Sequence, residues 1–519
     1  MNGNLPVLIA ALLRTLPGAR LIETHISWVL LGGGFAYKLK KPLDLGFLDF
    51  STLEKRRRAC EEEIRLNRRL APEVYLGVVP VTGSLEAPRF EGEGPVVEWA
   101  VKMRAFPADA TLDRADRLQE EQIDAIAQRI ALFHAAIALA PEGSAFGLPD
   151  QVRRPVTQNF VQIRALEPPP EVLALLDRLE AWVLAEGRRL DAHFARRRAQ
   201  GHVRECHGDL HLGNIAWVDG RPLIFDAIEF NPALRFVDVV NEIAFLAMDL
   251  FHRGEDRLAW RFLNRYLEYA GDYDGLEALR YYMVYRAMVR AKVSAIRAGQ
   301  QGASGDGFAE CLDYLGLALR LSEPMHPALL LMHGVSGSGK TVLSQWLLED
   351  LGAIRLRSDV ERKRLFGLGP LDRSEQIPGG IYSAEASERT RDRLLQLAAK
   401  LLEGEFRVIV DATFLDASWR QPFEALAETR GLGWCIVSPA VPESVLRQRV
   451  AQRARAGRDA SEADLAVLEQ QLGHRQPLSE EERLHGVEPS MDTDRETLAR
   501  RVAGCLSREP AVKTGRGER

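Results

Sequence analysis

Apolar and polar positions change rhythm along this chain. Up to about residue 100, short alternating runs read as strands: LIET, SWVLL, FAYKLK, VVPV and EWAVKM. One stretch around residues 52–70 has helical spacing instead, and the opening PVLIAALL reads as the apolar face of a first helix. From 115 to 320 the period is mostly helical, broken by a polar segment, HGDLHLGN, at 207–214. Beyond LSEPMHPALLL the runs LLLMHGV, AIRLRS, RVIVDAT and GWCIVSP each lead into a helical segment, the alternation of a parallel α/β sheet. Pro324 and Pro327 mark a linker, and the polar tail AVKTGRGER reads as frayed.

A chain of 519 residues exceeds one ordinary core, so two or three domains are expected. With 46% hydrophobic and 27% charged residues the composition is that of a soluble globular protein. A net charge of −5 excludes a general nucleic-acid-binding balance while leaving local basic patches open. The five cysteines are scattered and lack CxxC spacing, which argues against a disulfide framework or a structural zinc site. No basic residue precedes PVLIAALL, and no run approaches the ~18 apolar residues of a membrane span. A cytoplasmic protein without a membrane partner is expected.

HGDLHLGN could be a metal site, a turn or the catalytic loop of a phosphotransferase. A zinc site needs three or four ligands, and no partner His/Cys cluster is evident. A kinase-type loop needs H-x-D and then Asn five residues after the Asp, and His207, Asp209 and Asn214 have that spacing. Asp209 would orient the attacking hydroxyl and accept its proton, and the Asn214 carbonyl would bind Mg²⁺. A second metal carboxylate follows in WVDGRPLIFD, where Asp219-Gly220 makes the turn and Asp226 ends a strand. AYKLKKP puts Lys38 and Lys40 on one strand face as candidates for the phosphate cation, the A-x-K pattern favouring Lys38. In CEEEIRLNRRL, Glu63 begins the inward row with Leu66 and Leu70, so it is best placed to reach that lysine.

On these residues, 1–322 resembles the aminoglycoside phosphotransferase/choline kinase group of the protein-kinase-like fold. The resemblance implies an α+β bilobal domain, with an N-lobe to about 104 and a helical C-lobe over 105–322. It implies Lys38, Glu63, Asp209, Asn214 and Asp226 as site residues, His207 as the loop-ordering histidine, and EWAVKMRAF as the hinge that holds adenine. Gly32–Gly34 reads as the turn between SWVLL and FAYKLK, so the phosphate-covering loop falls near ETHIS, which has no glycine. In RAMVRAKVSAIRAG, Arg286, Arg290 and Arg297 share a helical face, read as an anion-binding groove or a solvated surface.

GVSGSGKT is the strongest signal in the chain. Gly334, Val335, Ser336, Gly337, Ser338, Gly339, Lys340 and Thr341 match G-x-x-x-x-G-K-[ST] between an apolar strand and a helix. Backbone N–H groups would cradle phosphates, Lys340 would neutralise them, and Thr341 with Asp411 of RVIVDATF would hold Mg²⁺. In RSDVERKR, Ser358 and Glu361 have the spacing of a capping box, while Asp359 and Arg362 suit a carboxylate beside an acceptor hydroxyl. RQRVAQRARAGRDASEADL offers Arg449, Arg453, Arg455 and Arg458 as a lid over the phosphates. Residues 327–500 thus resemble the small P-loop kinases, the gluconate kinase, polynucleotide kinase, zeta toxin and chloramphenicol phosphotransferase group. That implies an α/β P-loop domain; residues 501–519, which end in the polar AVKTGRGER, are expected to be a disordered tail.

The reading is two Mg²⁺·ATP-dependent phosphotransferase domains in tandem, acting on hydroxyls of small molecules. Two alternatives stay open: an N-terminal domain that binds nucleotide and regulates the other, and a polynucleotide 5′-hydroxyl kinase, which the balanced charge does not favour.

Overall fold

The computed structural model describes residues 5–44, 46, 48–107, 109–300, 305–375, 377, 380–456 and 460–507. Gly33 and Gly34 both take positive φ, 59° and 81°, the backbone a two-residue hairpin turn requires and a side chain resists. They join β2 (Ser27–Gly32), which follows β1 (Arg20–Glu23), to β3 (Phe35–Lys40). With β4 (Tyr75–Gly83), β5 (Pro88–Phe90) and β6 (Val96–Arg104) these strands form an antiparallel sheet in the order β1-β2-β3-β6-β4-β5. Helix Leu5–Thr15 covers it, packing Leu8 and Leu12 against Leu30, Leu39, Val81 and Ala100. Helix Leu53–Asn67 starts at a Thr52 cap that accepts from the Lys55 N–H, and it turns Glu63 inward.

The helical lobe follows. Its polar loop lies between β7 (Val203–Glu205) and the hairpin of β8 (Ile215–Val218) and β9 (Arg221–Ile224). β10 (Phe236–Asp238) pairs with β7. Asp219 and Gly220 turn the hairpin at φ 50° and 73°. A single cluster of Ile64, Tyr75, Val101, Ala216 and Leu223 joins helix Leu53–Asn67, the sheet and the hairpin, fixing the polar loop relative to β3.

In the C-terminal region β11 (Ala328–Met332), β12 (Ala353–Arg357), β13 (Arg407–Asp411), β14 (Gly433–Val437) and the short β15 (Gly486–Val487) form a parallel sheet ordered β12-β13-β11-β14-β15. β11 is buried at every position, as expected of a strand covered on both faces. Of the expected tail, residues to Leu506 complete helix Arg495–Leu506, whose Leu498 and Val502 are core residues, and 508–519 lie outside the described residues.

The chain forms two compact units, Met1–Asp249 with Tyr281–Ala318, and Leu250–Arg280 with Leu319–Arg519. The division expected between 322 and 327 leaves 250–280 with the first domain, whereas here that segment folds with the second unit. No helix among the described residues is long and apolar enough to cross a membrane.

Candidate active sites

In the first unit, the loop of HGDLHLGN is held from all sides. His207 Nε2 donates to the Phe225 carbonyl at 2.8 Å while its Nδ1 accepts the Asp209 N–H at 3.3 Å, which fixes a neutral tautomer. Burial pushes the His207 pKa down, consistent with that neutral ring. Buried Glu242 accepts the Gly208 N–H at 2.7 Å and meets His134 at 2.8 Å, and Asp249 accepts the Leu212 N–H at 2.8 Å. Asn214 Nδ2 donates to Asp209, which leaves Oδ1 as its remaining side-chain donor atom for a cation.

The Asp209 carboxylate stays 37% exposed, with His211 Nε2 3.4 Å away. Burial pushes its pKa up, but the charge and hydrogen bond of His211 outweigh burial and hold the carboxyl well below the usual range. Burial lowers His211 in turn, and Asp209 more than reverses that.

β3 directs Lys38 and Lys40 to one side, and Glu63 lies between them. Lys38 Nζ is 3.0 Å from Glu63 Oε1 and bonds Asp226; Lys40 bonds the other Glu63 oxygen and Glu229. The two lysines differ in access: Lys40 is fully enclosed, while Lys38 faces Asp226, whose side chain is 42% exposed. Asp226 takes φ 65°, a left-handed backbone rare outside glycine that structures retain at functional points. Its N–H donates to the Tyr75 hydroxyl at 3.1 Å, and the next N–H, of Ala227, donates to Asn67. Burial raises the Asp226 pKa, yet Lys38 lowers it further, so the group is a carboxylate. Glu229 was not singled out from the sequence; its signal was a second acid three residues beyond Asp226 on a mostly apolar run.

The Arg286, Arg290 and Arg297 face is neither a basic groove nor a solvated surface throughout. Arg286 is buried, donating to Asn241 at 2.8 Å and to the Gly208 carbonyl at 3.1 Å, with its guanidinium over Phe245. Arg290 donates to the Tyr314 hydroxyl, and Arg297 pairs with Glu310 at 3.3 Å. Near ETHIS the backbone makes a tight turn, the Thr24 N–H donating to the Ser27 carbonyl at 2.9 Å.

In the second unit, Gly334, Gly337 and Gly339 all take positive φ. A Cβ on Gly337 would meet the Leu446 carbonyl and Val450 at 3.0 Å, so the loop requires glycine there twice over. Gly339 caps helix Lys340–Leu351, whose first turn carries Lys340 and Thr341. Lys340 Nζ donates to the Val335 carbonyl at 2.9 Å, and the Ser336 N–H donates to Gln471 at 2.7 Å. Asp411, at the end of β13, accepts from Ser344 at 3.1 Å.

Asp359 sits in the first turn of helix Ser358–Leu365, partly exposed. The capping box does not form: Arg357 is the cap residue, and Glu361 is buried against Arg364 and Arg393 at 3.2 and 3.4 Å. Arg362 donates to the Ile381 carbonyl and Ser387 with its guanidinium over Tyr382, and burial, opposed by the Asp359 charge, lowers its pKa. Of the expected lid, Arg449 reaches the Gly337 carbonyl at 3.5 Å, whereas Arg453 donates to the Ala463 carbonyl at 3.1 Å. Arg458 and the side chain of Arg455 lie outside the described residues.

A model of the phosphotransferase enzyme family matches residues 47–280, and one described as an AAA domain matches 329–478. The uncharacterized protein Rv2004c of Mycobacterium tuberculosis is 30% identical over 452 residues, covering 86% of this chain and 88% of its own. The uncharacterized protein Mb2027c of Mycobacterium bovis matches to the same extent. Among solved structures, a gluconokinase from Sinorhizobium meliloti is similar over 35% of this chain and 93% of its own, at 20% identity and a TM-score of 0.26. A choline kinase from Cryptosporidium parvum is similar over 61% of this chain and 94% of its own, at 11% identity and a TM-score of 0.39.

Proposed function

Because this chain belongs to the family of the mycobacterial protein Rv2004c, with a phosphotransferase domain followed by a P-loop kinase domain, we propose that both units transfer the γ-phosphate of ATP to hydroxyl groups of small molecules. Kinase-type phosphoryl transfer is common to the two domains; two separate active sites and the acceptor class are our reading.

The observation that carries it is the partly exposed Asp209 carboxylate, held by Asn214 and His211 beside a separate set of Lys38, Glu63 and Asp226. Asp209 is ionised far below neutrality, so at neutral pH it accepts a hydrogen bond from an incoming hydroxyl and orients its oxygen at the γ-phosphorus. As the new O–P bond forms and the bond to the bridging oxygen of ADP breaks, the hydroxyl proton passes to Asp209. Lys38, fixed by Glu63, supplies positive charge to the phosphates.

Both sites offer oxygen donors of the hard type Mg²⁺ prefers. Asn214 and Asp226 would hold the ion in the first, Thr341 and Asp411 in the second, and bound there it neutralises phosphate charge. In the second unit the loop glycines and Lys340 hold the nucleotide, and Asp359 orients the acceptor hydroxyl. The net charge of −5 favours small-molecule acceptors over nucleic acid, and five buried, unbridged cysteines suit a reducing cytoplasm. The test is transfer of labelled γ-phosphate from ATP to a panel of sugars, nucleosides, amino alcohols and 5′-hydroxyl RNA. No transfer to any small molecule would overturn the reading.

A second reading has one observation in its favour. The tight Thr24–Ser27 turn leaves no glycine loop to cover phosphates, which suits a first unit that binds nucleotide and regulates the second.

A further inference from the structure

Helix Asp256–Ala270 falls inside the stretch that the phosphotransferase family matches, yet it folds in the second unit along β12. Trp260, Asn264 and Glu268 recur every fourth residue and so share one face. Trp260 lies against Gly352, where an added Cβ would come within 2.8 Å of the indole nitrogen. Asn264 takes the place of a neighbouring strand on the outer edge of the sheet: its Oδ1 accepts the Arg355 N–H at 2.7 Å, and its Nδ2 donates to the Ala353 carbonyl at 2.8 Å.

Glu268 does something different. It accepts from Arg355 Nη2 at 2.7 Å, with both side chains almost fully enclosed. Burial pushes its carboxyl up, but Arg355, Arg357 and Arg265 outweigh that and hold it at about 2, so the pair is ionic. The other arm of the guanidinium, Nη1, donates to the Thr341 carbonyl at 3.3 Å and to Ser344 Oγ at 3.1 Å. Ser344 Oγ in turn donates to Asp411 Oδ2 at 3.1 Å. A buried arginine is thus pinned at one end by Glu268 and fastens the first turn of the P-loop helix and the end of β13 at the other.

We propose that Glu268 is a positioning residue for the P-loop kinase site, acting through Arg355 to fix Thr341 and Asp411 in the arrangement that receives Mg²⁺. This rests on the reading of Thr341 and Asp411 as the metal-side groups of that site. Without the carboxylate the guanidinium loses its anionic anchor, and the groups it orients lose their fixed geometry. Partners of metal ligands that are removed in this way typically cost about 10–100-fold in metal affinity.

The experiment is calorimetric titration of ATP into the full chain over a range of Mg²⁺ concentrations, with the binding event that Lys340→Ala removes defining the P-loop site. Glu268→Gln is expected to raise the Mg²⁺ concentration for half-maximal binding by about tenfold, while affinity without Mg²⁺ changes by less than about twofold. Arg355→Lys keeps an ion pair with Glu268 but loses the second arm; it is expected to show the same shift and serves if Glu268→Gln does not fold. Asn264→Ala, which loosens the same helix without touching the arginine side chain, is expected to lower Tm and leave the Mg²⁺ requirement alone. An unchanged requirement in both Glu268→Gln and Arg355→Lys overturns the proposal, as does an equal shift in Asn264→Ala. If Lys340→Ala removes no binding event, the P-loop reading itself fails, and the proposal loses its premise whatever Glu268 does.

Discussion

Asn214 grips Asp209 twice, its Nδ2 donating to the carboxylate at 3.0 Å and to the main-chain carbonyl at 2.9 Å. The two candidate catalytic and metal-side residues of the first unit are therefore one rigid element. Asp209→Asn keeps the shape and removes the charge, so transfer by the first unit is expected to fall about 10²-fold or more with ATP binding intact. Asp359→Asn is expected to do the same to the second activity alone. Labelled phosphate transfer checks both, and an Asp209→Asn chain with every rate intact would favour the regulator.

Lys38 and Lys40 are expected to separate into a binding and a folding residue. Lys40→Met leaves Glu63 and Glu229 enclosed without the cation between them, a loss of about 3–5 kcal/mol. Lys38→Met is expected to weaken nucleotide binding with a smaller loss of stability, because Asp226 still reaches solvent. Denaturant unfolding and calorimetry on each variant check the division; equal effects in both would show that the lysines share one role.

Nucleotide stoichiometry gives a third check. The chain is expected to bind two ATP, and Lys340→Ala to bind one, because Lys340 is the formal cation of the Gly334–Thr341 loop. Lys38→Met with Lys340→Ala is expected to bind none in the same concentration range. Two ATP bound by Lys340→Ala would rule out that assignment.

His333, buried just before the loop, predicts a pH dependence of stability. Burial, with the charges of Arg420, Arg475 and Lys340, pushes its pKa down to about 4 from an ordinary 6.5. Below 6.5 the unfolded chain takes up the proton first, so stability is complete above that pH and falls as pH drops towards 4. The contribution reaches about 3 kcal/mol across this window. Melting curves of wild type and His333→Gln between pH 7 and 4 check it, the variant being expected to show the shallower decline. Parallel curves would remove His333 as the cause.

Much of the arrangement of both candidate sites was legible because their residues are contiguous. HGDLHLGN and GVSGSGKT each bring their residues together within eight consecutive positions, so spacing carries much of the geometry. Glu229 was not legible: its bond to Lys40 spans 189 positions, and nothing in IFDAIEF says which side a carboxylate will find. The arginine row of Arg286 shows the opposite limit. Helical periodicity says which residues share a face, but not whether that face meets water or the underside of a loop. β5 and β15, at three and two residues, are too short for an alternation to register. The packing of residues 250–280 was not legible for a related reason: the edge of β12 is completed by a side chain, Asn264, and no pattern of apolar positions announces such a partner.

The interleaving of the two units bears on how such a gene can be divided. The chain passes from one unit to the other three times, at 249–250, 280–281 and 318–319. No single stop codon, protease nick or recombination breakpoint yields two self-contained units. A break in the Pro324–Pro327 linker strands Trp260, Asn264 and Glu268 on the wrong fragment, leaving the outer edge of β12 uncovered. An exposed strand edge of that kind invites aggregation. Fission of this fusion is therefore penalised first at the level of solubility.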